Sequence, residues 1–279
     1  MSSDEIRDVQ RAAWAGLAPG WEKWDTIIMD QLGPVSAAII DHLAISDDQQ
    51  HLDIASGTGE PGLSVAGLAT GGNVVLTDLA AEMLDVARRR ATDRGITNYE
   101  IRVCSAEALP FADGTFDSIS VRFGYMFFPD LSGATAEFTR VLKPGGRLCA
   151  SVWVRPEQNP WTTIMMQAIA AEIPLAPSDP DGPHMFRCAA TGHVSALFEA
   201  AGLREIAEWD VDVHLVTRSR AEYWEMISEH VSIAAAALQR VDRGARERIA
   251  RAVIAGARRY ERDGRVSIPG VARCVAGMK

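Results

Sequence analysis

Short apolar runs alternate with segments of helical period between residues 51 and 153, and this alternation limits the fold more than any other feature. Each run is brief and is bounded by Gly, Pro, Asp or Asn, as expected for buried strands. The predicted strands are residues 51–55, 73–78, 99–105, 116–123 and 147–153. Because a helix separates most consecutive strands, we expect the chain to return in the same direction each time and the strands to be parallel.

The helices between these strands are predicted by spacing. Apolar residues recur at three- and four-residue intervals in residues 80–91, and this stretch stops at Gly95. Residues 131–142 have the same period and stop at a Lys-Pro-Gly-Gly turn. The sequence therefore predicts an α/β fold with a βαβ pattern.

Other elements are predicted outside this central region. We expect a helix over residues 34–44 with Pro34 in its first turn, another over 161–173, and two helices within 219–262. An apolar stretch over 266–276 is expected to form the last strand, with a bulge or a late start at Pro269 and Gly270.

The whole chain is interpreted as one domain with four segments. The predicted segments are a helical amino-terminal part covering the active site (1–48), an α/β core (49–154), a Pro-rich cap insertion (155–190) and a carboxyl-terminal part with two helices and closing strands (191–279).

Charge and composition narrow the classes of partner. The chain has 37 Asp and Glu against 28 Lys and Arg, a net charge of −9, which argues against nucleic acid and anionic membranes as partners. Its four cysteines have no metal-ligand spacing, so no metal is expected. With no signal-peptide pattern and no long apolar run, a cytoplasmic protein without a membrane span is expected; the oligomeric state stays open, a homodimer included.

A Gly-rich turn follows the first predicted strand. The run DIASGTGEPG, residues 53–62, contains Gly57, Gly59 and Gly62 in the spacing of dinucleotide-binding loops. However, Asp53 and Glu60 place carboxylates where a pyrophosphate has to bind, which disfavours a nicotinamide cofactor. S-adenosylmethionine suits the turn better, since it carries a sulfonium and an amino group and no phosphate.

Several motifs in order resemble those of class I S-adenosylmethionine-dependent methyltransferases. The resemblance rests on the Gly turn, residues 74–78 ending in Asp78, residues 105–111, Phe116-Asp117 and residues 140–148, and it covers roughly residues 34–153. It implies a Rossmann-like sheet of seven mostly parallel strands with the last strand reversed, helices on both faces and a helical cap. It also implies S-adenosyl-L-methionine as cofactor and S-adenosyl-L-homocysteine as product.

Cofactor contacts follow from this resemblance residue by residue. Asp53 is expected to meet the amino group of the cofactor, Asp78 both ribose hydroxyls, and Leu79 the adenine. Ser105 stands where many relatives have Asp. The full predicted set is Asp53, Ala55, Gly57, Gly59, Asp78, Leu79, Ser105, Ala106, Glu107, Arg122 and Phe123.

The acceptor side is predicted from aromatic and titratable residues. A small lipophilic or aromatic metabolite is favoured as substrate, in a pocket formed by Trp14, Trp21, Trp24, Tyr125, Met126, Phe127, Met165 and Tyr223. His184, His230 and Tyr125 are the candidate catalytic groups.

Three alternatives remain open at this point. The motifs are also similar to those of the ubiquinone and menaquinone C-methyltransferases, so quinone biosynthesis is the second interpretation. A nicotinamide-dependent oxidoreductase and a non-catalytic S-adenosylmethionine-binding protein are the alternatives from other classes.

Overall fold

A single mixed sheet organises the chain in the computed structural model, which describes residues 2–174, 179 and 182–279. The strands lie in the order β3-β2-β1-β4-β5-β8-β6, and β7 pairs with β8. Their bounds are β1 Gln50–Ile54, β2 Asn73–Asp78, β3 Tyr99–Val103, β4 Phe116–Arg122, β5 Leu142–Trp153, β6 Arg204–Thr217, β7 Glu261–Arg262 and β8 Arg265–Met278.

Helices cover both faces of this sheet. They are α1 Ser3–Lys23, α2 Asp25–Leu43, α3 Gly62–Leu68, α4 Ala81–Asp93, α5 Leu131–Val141, α6 Pro160–Ala170, α7 His193–Ala200, α8 Arg220–His230, α9 Ser232–Leu238 and α10 Arg243–Gly256. None of the helices in the described ranges has the length and apolar character that crossing a membrane requires.

The five strands β1 to β5 pair in parallel, so their carboxyl ends lie at one edge of the sheet. β8 runs antiparallel to β5 and to β6, which confirms the reversed last strand. The described residues form eight strands where seven were expected, because the two-residue β7 adds a short hairpin to β8.

Alternate residues of the central strands enter different hydrophobic clusters. Val75 packs in a large core that contains Ile28, Leu32 and Ile39 of α2. Its neighbour Leu76 packs in a second cluster with α3 and α4. Since successive strand side chains point to opposite faces, α2 covers one face of the sheet, and α3 and α4 cover the other.

The expected start of the second helix at Pro34 is wrong. Pro34 lies inside α2, which begins nine residues earlier at Asp25. Pro34 and Asp30 are both exposed, so water can solvate the Asp30 carbonyl that has no Pro N–H to accept from. The buried face of α2, with Ile28, Leu32 and Val35, supplies the packing that keeps this helix continuous.

Two expectations for the carboxyl-terminal part also need correction. The segment 219–262 holds three helices, α8 to α10, in place of two. β8 pairs with β6 without interruption at Pro269 and Gly270, and the irregularity in this pair lies between Arg204 and Ala207. Pro269 is tolerated because β5 pairs only with the part of β8 from Ala272 onward.

Candidate active site

The chain turns sharply where β1 ends, at the edge formed by the parallel strands. Ala55, Gly57 and Gly59 all have positive φ, at 52°, 54° and 105°. Gly57 has open space where a Cβ would lie, whereas a Cβ on Gly59 would be 2.7 Å from Leu63 Cδ1. Gly57 therefore leaves the backbone open to a ligand, and Gly59 serves the packing of α3.

Asp78, at the tip of β2, organises this turn. Its Oδ2 accepts a hydrogen bond from Gly57 N and its Oδ1 accepts one from Ala80 N, both at 2.9 Å. Burial raises the pKa of Asp78 to about 6, against the opposing effect of these backbone donors. Asp78 also lines the cavity described below, and each carboxylate oxygen has a further lone pair for a ligand hydroxyl.

Asp53 lies beneath the turn and does not line the cavity in the structure. Its Oδ2 accepts from Gly62 N at 2.9 Å, and its Oδ1 accepts from Ser120 Oγ at 2.6 Å. Burial raises the pKa of this carboxyl group to about 7. The observed role of Asp53 is thus to support the turn, and the expected contact with a cofactor amino group stays a prediction.

Glu60 also differs from the sequence-based picture. Its carboxylate is ion-paired with Arg94, and Oε1 lies 3.6 Å from Arg90. Its charge is therefore compensated, so Glu60 no longer argues against a phosphate at this turn.

One cavity opens at the carboxyl edge, next to the ends of β1, β2, β4 and β5. Its empty volume is about 1360 Å³ when the solvent-filled mouth is included. α1 and α2, the Gly turn, the loop after β4 and the end of α8 form its walls. The residues that line it include Arg7, Trp14, Trp21, Gln31, Ala55, Ser56, Gly57, Asp78, Leu79, Ser105, Ala106, Glu107, Arg122, Phe123, Phe127, Trp153, Trp161 and His230.

Most predicted cofactor residues are brought together here, and some predicted pocket residues are not. The predicted residues that line the cavity are Ala55, Gly57, Asp78, Leu79, Ser105, Ala106, Glu107, Arg122, Phe123, Trp14, Trp21, Phe127 and His230. Those outside the lining are Asp53, Gly59, Trp24, Tyr125, Met126, Met165, Tyr223 and His184.

Tyr125 and Tyr223 are core residues, which corrects their assignment to the pocket and that of Tyr125 to catalysis. Both are fully buried. The Tyr125 hydroxyl is hydrogen-bonded to Thr135, and the Tyr223 hydroxyl donates to Trp161 O at 2.6 Å. Burial raises the pKa of each phenol above its ordinary value, so neither is an accessible base.

Four further predicted residues also lie outside the cavity lining. Met126 and Met165 are fully buried in the large core. Trp24 packs there too, and its Nε1 donates to Glu229 Oε2 at 2.7 Å. His184 accepts from Phe186 N through Nδ1 at 3.2 Å, and its neighbours Pro177 and Pro180 of the expected cap lie outside the described residues.

His230 is the candidate base that reaches the cavity. It is the last residue of α8 and is buried, and its Nδ1 lies 2.8 Å from Met226 O. A carbonyl can only accept, so Nδ1 carries the proton and Nε2 of the neutral ring has a free lone pair. Burial lowers the pKa of His230 to about 4, which keeps the ring neutral at pH 7.

A hydrogen-bond cluster lies at the cavity wall, where Arg7, Ser105 and Glu107 are among the lining residues. Ser105 Oγ donates to Glu107, and Glu107 Oε1 accepts from Asp130 N at 3.2 Å. Glu107 also lies 3.5 Å from Arg7 of α1. Glu107 therefore links the third predicted motif to α1.

Sequence reasoning missed several lining residues. Trp153 and Trp161 stand in the predicted fifth strand and helix, and Trp153 stacks on Phe123 with a centroid distance of 4.2 Å. Gln31 Nε2 and Ser56 Oγ are buried without a hydrogen-bond partner in the described part of the chain. The position of Gln31 on a buried helical face was the available signal, but it depended on recognising α2.

The strand order, with five parallel strands and a reversed last strand, is the fold of the class I S-adenosylmethionine-dependent methyltransferases. The model of the ubiE/COQ5 methyltransferase family matches residues 21–172, and the chain belongs to that family.

Two curated relatives match the central region. One is the demethylmenaquinone methyltransferase of Thermus thermophilus, 46% identical over 99 residues, which are 35% of this chain. The other is the ubiquinone/menaquinone biosynthesis C-methyltransferase UbiE of Cellvibrio japonicus, 45% identical over 110 residues, 39% of this chain. In both cases the match spans 44% of the relative's length.

A solved structure matches the whole chain in fold. Phosphoethanolamine N-methyltransferase 2 of Haemonchus contortus, solved with S-adenosylhomocysteine and phosphomonomethylethanolamine, is 16% identical with a TM-score of 0.59. The match covers 100% of this chain and 60% of that one, and it supports the fold alone.

Proposed function

We propose that this protein transfers the methyl group of S-adenosylmethionine to a small, mostly apolar and aromatic metabolite. The observation that carries the proposal is one continuous cavity in which the Gly turn and Asp78 share a space with Trp14, Trp21 and Phe127. A cofactor at the turn and an aromatic acceptor against these rings would then be neighbours.

The cofactor half of the cavity is built from strand ends. Gly57 leaves room for a close backbone approach, and Asp78 offers acceptors to the two ribose hydroxyls. Leu79 and Ala106 provide apolar contact for the adenine, with Ser105 and Glu107 at its edge.

The acceptor half supplies rings and one base. Trp14 meets Trp21 and Phe127 edge-on, at centroid distances of 6.3 and 5.1 Å. Such rings hold a flat acceptor with little loss of conformational freedom. In the transfer, the bond from sulfur to the methyl carbon breaks as a bond to the acceptor forms, and Nε2 of His230 takes the acceptor's proton if it has one.

The proposal is tested first by calorimetry with S-adenosylmethionine, S-adenosylhomocysteine and NAD. Binding of the first two and not of NAD is expected; a preference for NAD would contradict it. A metabolite screen for mass gains of one methyl follows. Binding without any methylated product would favour the non-catalytic interpretation.

His230→Gln tests the proposed base. The substitution is expected to lower kcat by about 100-fold or more, the usual contribution of general base catalysis, and to leave the Kd for S-adenosylhomocysteine unchanged. With a pKa of about 4 the ring is neutral above pH 5, so titration of His230 should make no contribution to the pH dependence of the wild-type rate between pH 5.5 and 8. An unchanged kcat in the variant would remove His230 from the mechanism.

Quinone C-methylation is a second candidate function. It is supported by the similarity to a demethylmenaquinone methyltransferase and to a ubiquinone/menaquinone biosynthesis C-methyltransferase. It is tested by incubating the enzyme with a reduced, short-chain demethylmenaquinone analogue and the cofactor. Methylation of the ring carbon, in preference to unrelated phenols, would favour quinone C-methylation over the transfer to another small aromatic metabolite.

A further inference from the structure

Arg122, the last residue of β4, is a buried cation without an ion pair in the described ranges. Its Nη1 donates to Ser36 Oγ at 3.0 Å, and both Nη atoms lie 3.7–3.8 Å from Met29 Sδ, a weak acceptor. A buried charge without a close counterion is costly, so the site has an unmet demand for an anion.

Three carboxylates act on Arg122 at longer range, but each has nearer partners. Glu60 and Asp25 are ion-paired with arginines at the end of α4. Asp53 accepts hydrogen bonds from the Gly turn and from β4. Burial lowers the pKa of Arg122 only to about 10, so it stays charged at neutral pH.

Gln31 of α2 lies in the same cavity wall and also has a polar group that lacks a hydrogen-bond acceptor among the described residues. Its side chain is 2% exposed, and its Nε2 has no hydrogen-bond partner in the described part of the chain. A buried donor left unpaired costs about 1–3 kcal/mol. Both Gln31 and Arg122 line the cavity, so a ligand there can satisfy both.

We propose that Arg122 and Gln31 form a subsite for a carboxylate. The planar guanidinium can bind two carboxylate oxygens in parallel, and an amide N–H adds a further donor. Arg7, the other arginine in the lining, is already paired with Asp4 and Glu107. This inference rests on the proposed function, and the carboxylate has two sources: the amino-acid end of the cofactor, or an acidic acceptor.

The first arm of the test separates the cofactor from the acceptor. S-adenosylhomocysteine and 5′-methylthioadenosine, which lacks the amino-acid end, are titrated into the wild type, Arg122→Met and Gln31→Leu. If the subsite holds the cofactor, Arg122→Met weakens S-adenosylhomocysteine binding by about tenfold or more and changes methylthioadenosine binding less than twofold. Gln31→Leu has the same pattern with a smaller loss.

The second arm addresses an acidic acceptor. The wild-type complex with S-adenosylhomocysteine is titrated with 4-hydroxybenzoate and with the neutral 4-hydroxybenzyl alcohol. A preference for the carboxylate that is lost in Arg122→Met, with cofactor affinity retained, assigns the subsite to the acceptor. Arg122→Lys, which keeps the charge without the planar fork, should restore part of the effect in either arm.

Two outcomes overturn the subsite. One is an unchanged affinity and preference in both variants. The other is an equal loss for S-adenosylhomocysteine and methylthioadenosine, which indicates a general change of the cavity; thermal melting checks that each variant is folded. If the wild type binds neither nucleoside, the proposed function fails together with the subsite, whereas binding with unchanged variants removes the subsite alone.

Discussion

Asp78 has an observed structural role and a proposed ligand-binding role. It holds Gly57 N and Ala80 N, and it lines the cavity. We predict that Asp78→Ala weakens binding of S-adenosylhomocysteine by about 1.5–3 kcal/mol, the range for hydrogen bonds to a charged group. Calorimetry measures this loss.

The structure adds a second consequence for the same variant. Because two turn amides lose their acceptor, unfolding of the ligand-free protein should also become easier by about 1–3 kcal/mol. Methylthioadenosine, which keeps the ribose, should lose as much affinity as S-adenosylhomocysteine. Wild-type affinity for both ligands would contradict the ribose role of Asp78.

Asp53 gives the molecule a pH-dependent stability. Its pKa is raised to about 7 by burial, so the folded state binds this proton more tightly than the unfolded chain does, whose pKa is about 3.9. The stabilisation from protonated Asp53 is therefore complete below about pH 4 and is lost as the pH rises through 7. Asp53→Asn keeps the shape and removes this titration.

The difference in unfolding free energy between Asp53→Asn and the wild type should therefore grow with pH. We expect a change in favour of the variant of up to about 4 kcal/mol between pH 4 and 8, from three pKa units at 1.36 kcal/mol each. Urea unfolding of both proteins without cofactor measures it, and the raised pKa of Asp78 is common to both. Parallel pH curves would show that Asp53 is ionised throughout.

At the scale of elements, α1 forms a wall of the cavity and is held at one end by α8. Trp21 Nε1 donates to His230 O at 3.2 Å, and Lys23 Nζ lies 2.7 Å from Glu229 Oε2. Gly20 makes this approach possible, since a Cβ there would lie 2.4 Å from Glu229 O. The close contact between α1 and α8 therefore requires glycine at position 20.

Gly20→Ala and Gly16→Ala form a matched pair in this helix. Both replacements favour the helix by about 1 kcal/mol, but a Cβ at Gly16 has nothing within 4 Å. We predict that Gly16→Ala raises Tm, and that Gly20→Ala lowers Tm and weakens cofactor binding. Equal Tm values for the two variants would mean that the contact with Glu229 is unimportant.

The sequence predicts elements best where the pattern is local. The second strand was predicted with its observed bounds, Asn73–Asp78, because turn residues bound a continuous apolar run. The site residues at the strand tips were predicted from the resemblance to class I methyltransferases, once this pattern had located the strand ends. The predicted helix begins too late, at Pro34, because tertiary packing of the preceding apolar residues overrides the tendency of proline to interrupt a helix.

The local sequence pattern did not predict which side chains point into the core and which point into the cavity. After β4, Tyr125–Phe127 form a 3-10 turn, so neighbouring side chains point in different directions. Tyr125 and Met126 enter the core and Phe127 lines the cavity, although all three are apolar or aromatic. Gln31 was missed for a related reason, since only the packing of α2 on the sheet shows which face is buried.

At the scale of the whole molecule, the cavity is shared by segments far apart in the chain. Trp14 and Trp21 come from α1, Asp78 and Arg122 from the sheet, and His230 from α8. A ligand that contacts all of them stabilises the closed arrangement over any state in which α1 has moved away. Ligand binding and the attachment of α1 are therefore expected to be linked.

Limited trypsin digestion tests this linkage through Arg7 and Arg11 of α1, with Arg243 and Arg246 of α10, outside the cavity lining, as the internal reference. Without ligand, cleavage is expected in residues 1–30 and 155–190 before residues 50–150.

If α1 must release the ligand before it can be cut, S-adenosylhomocysteine at 100 times its Kd adds about 2.7 kcal/mol to the free energy of opening. Cleavage in α1 then becomes about 100-fold slower. Cleavage in α10 should change far less, because opening there leaves the ligand bound. Equal protection at both places would indicate global stabilisation, and unchanged cleavage of α1 would show that this helix does not hold the ligand.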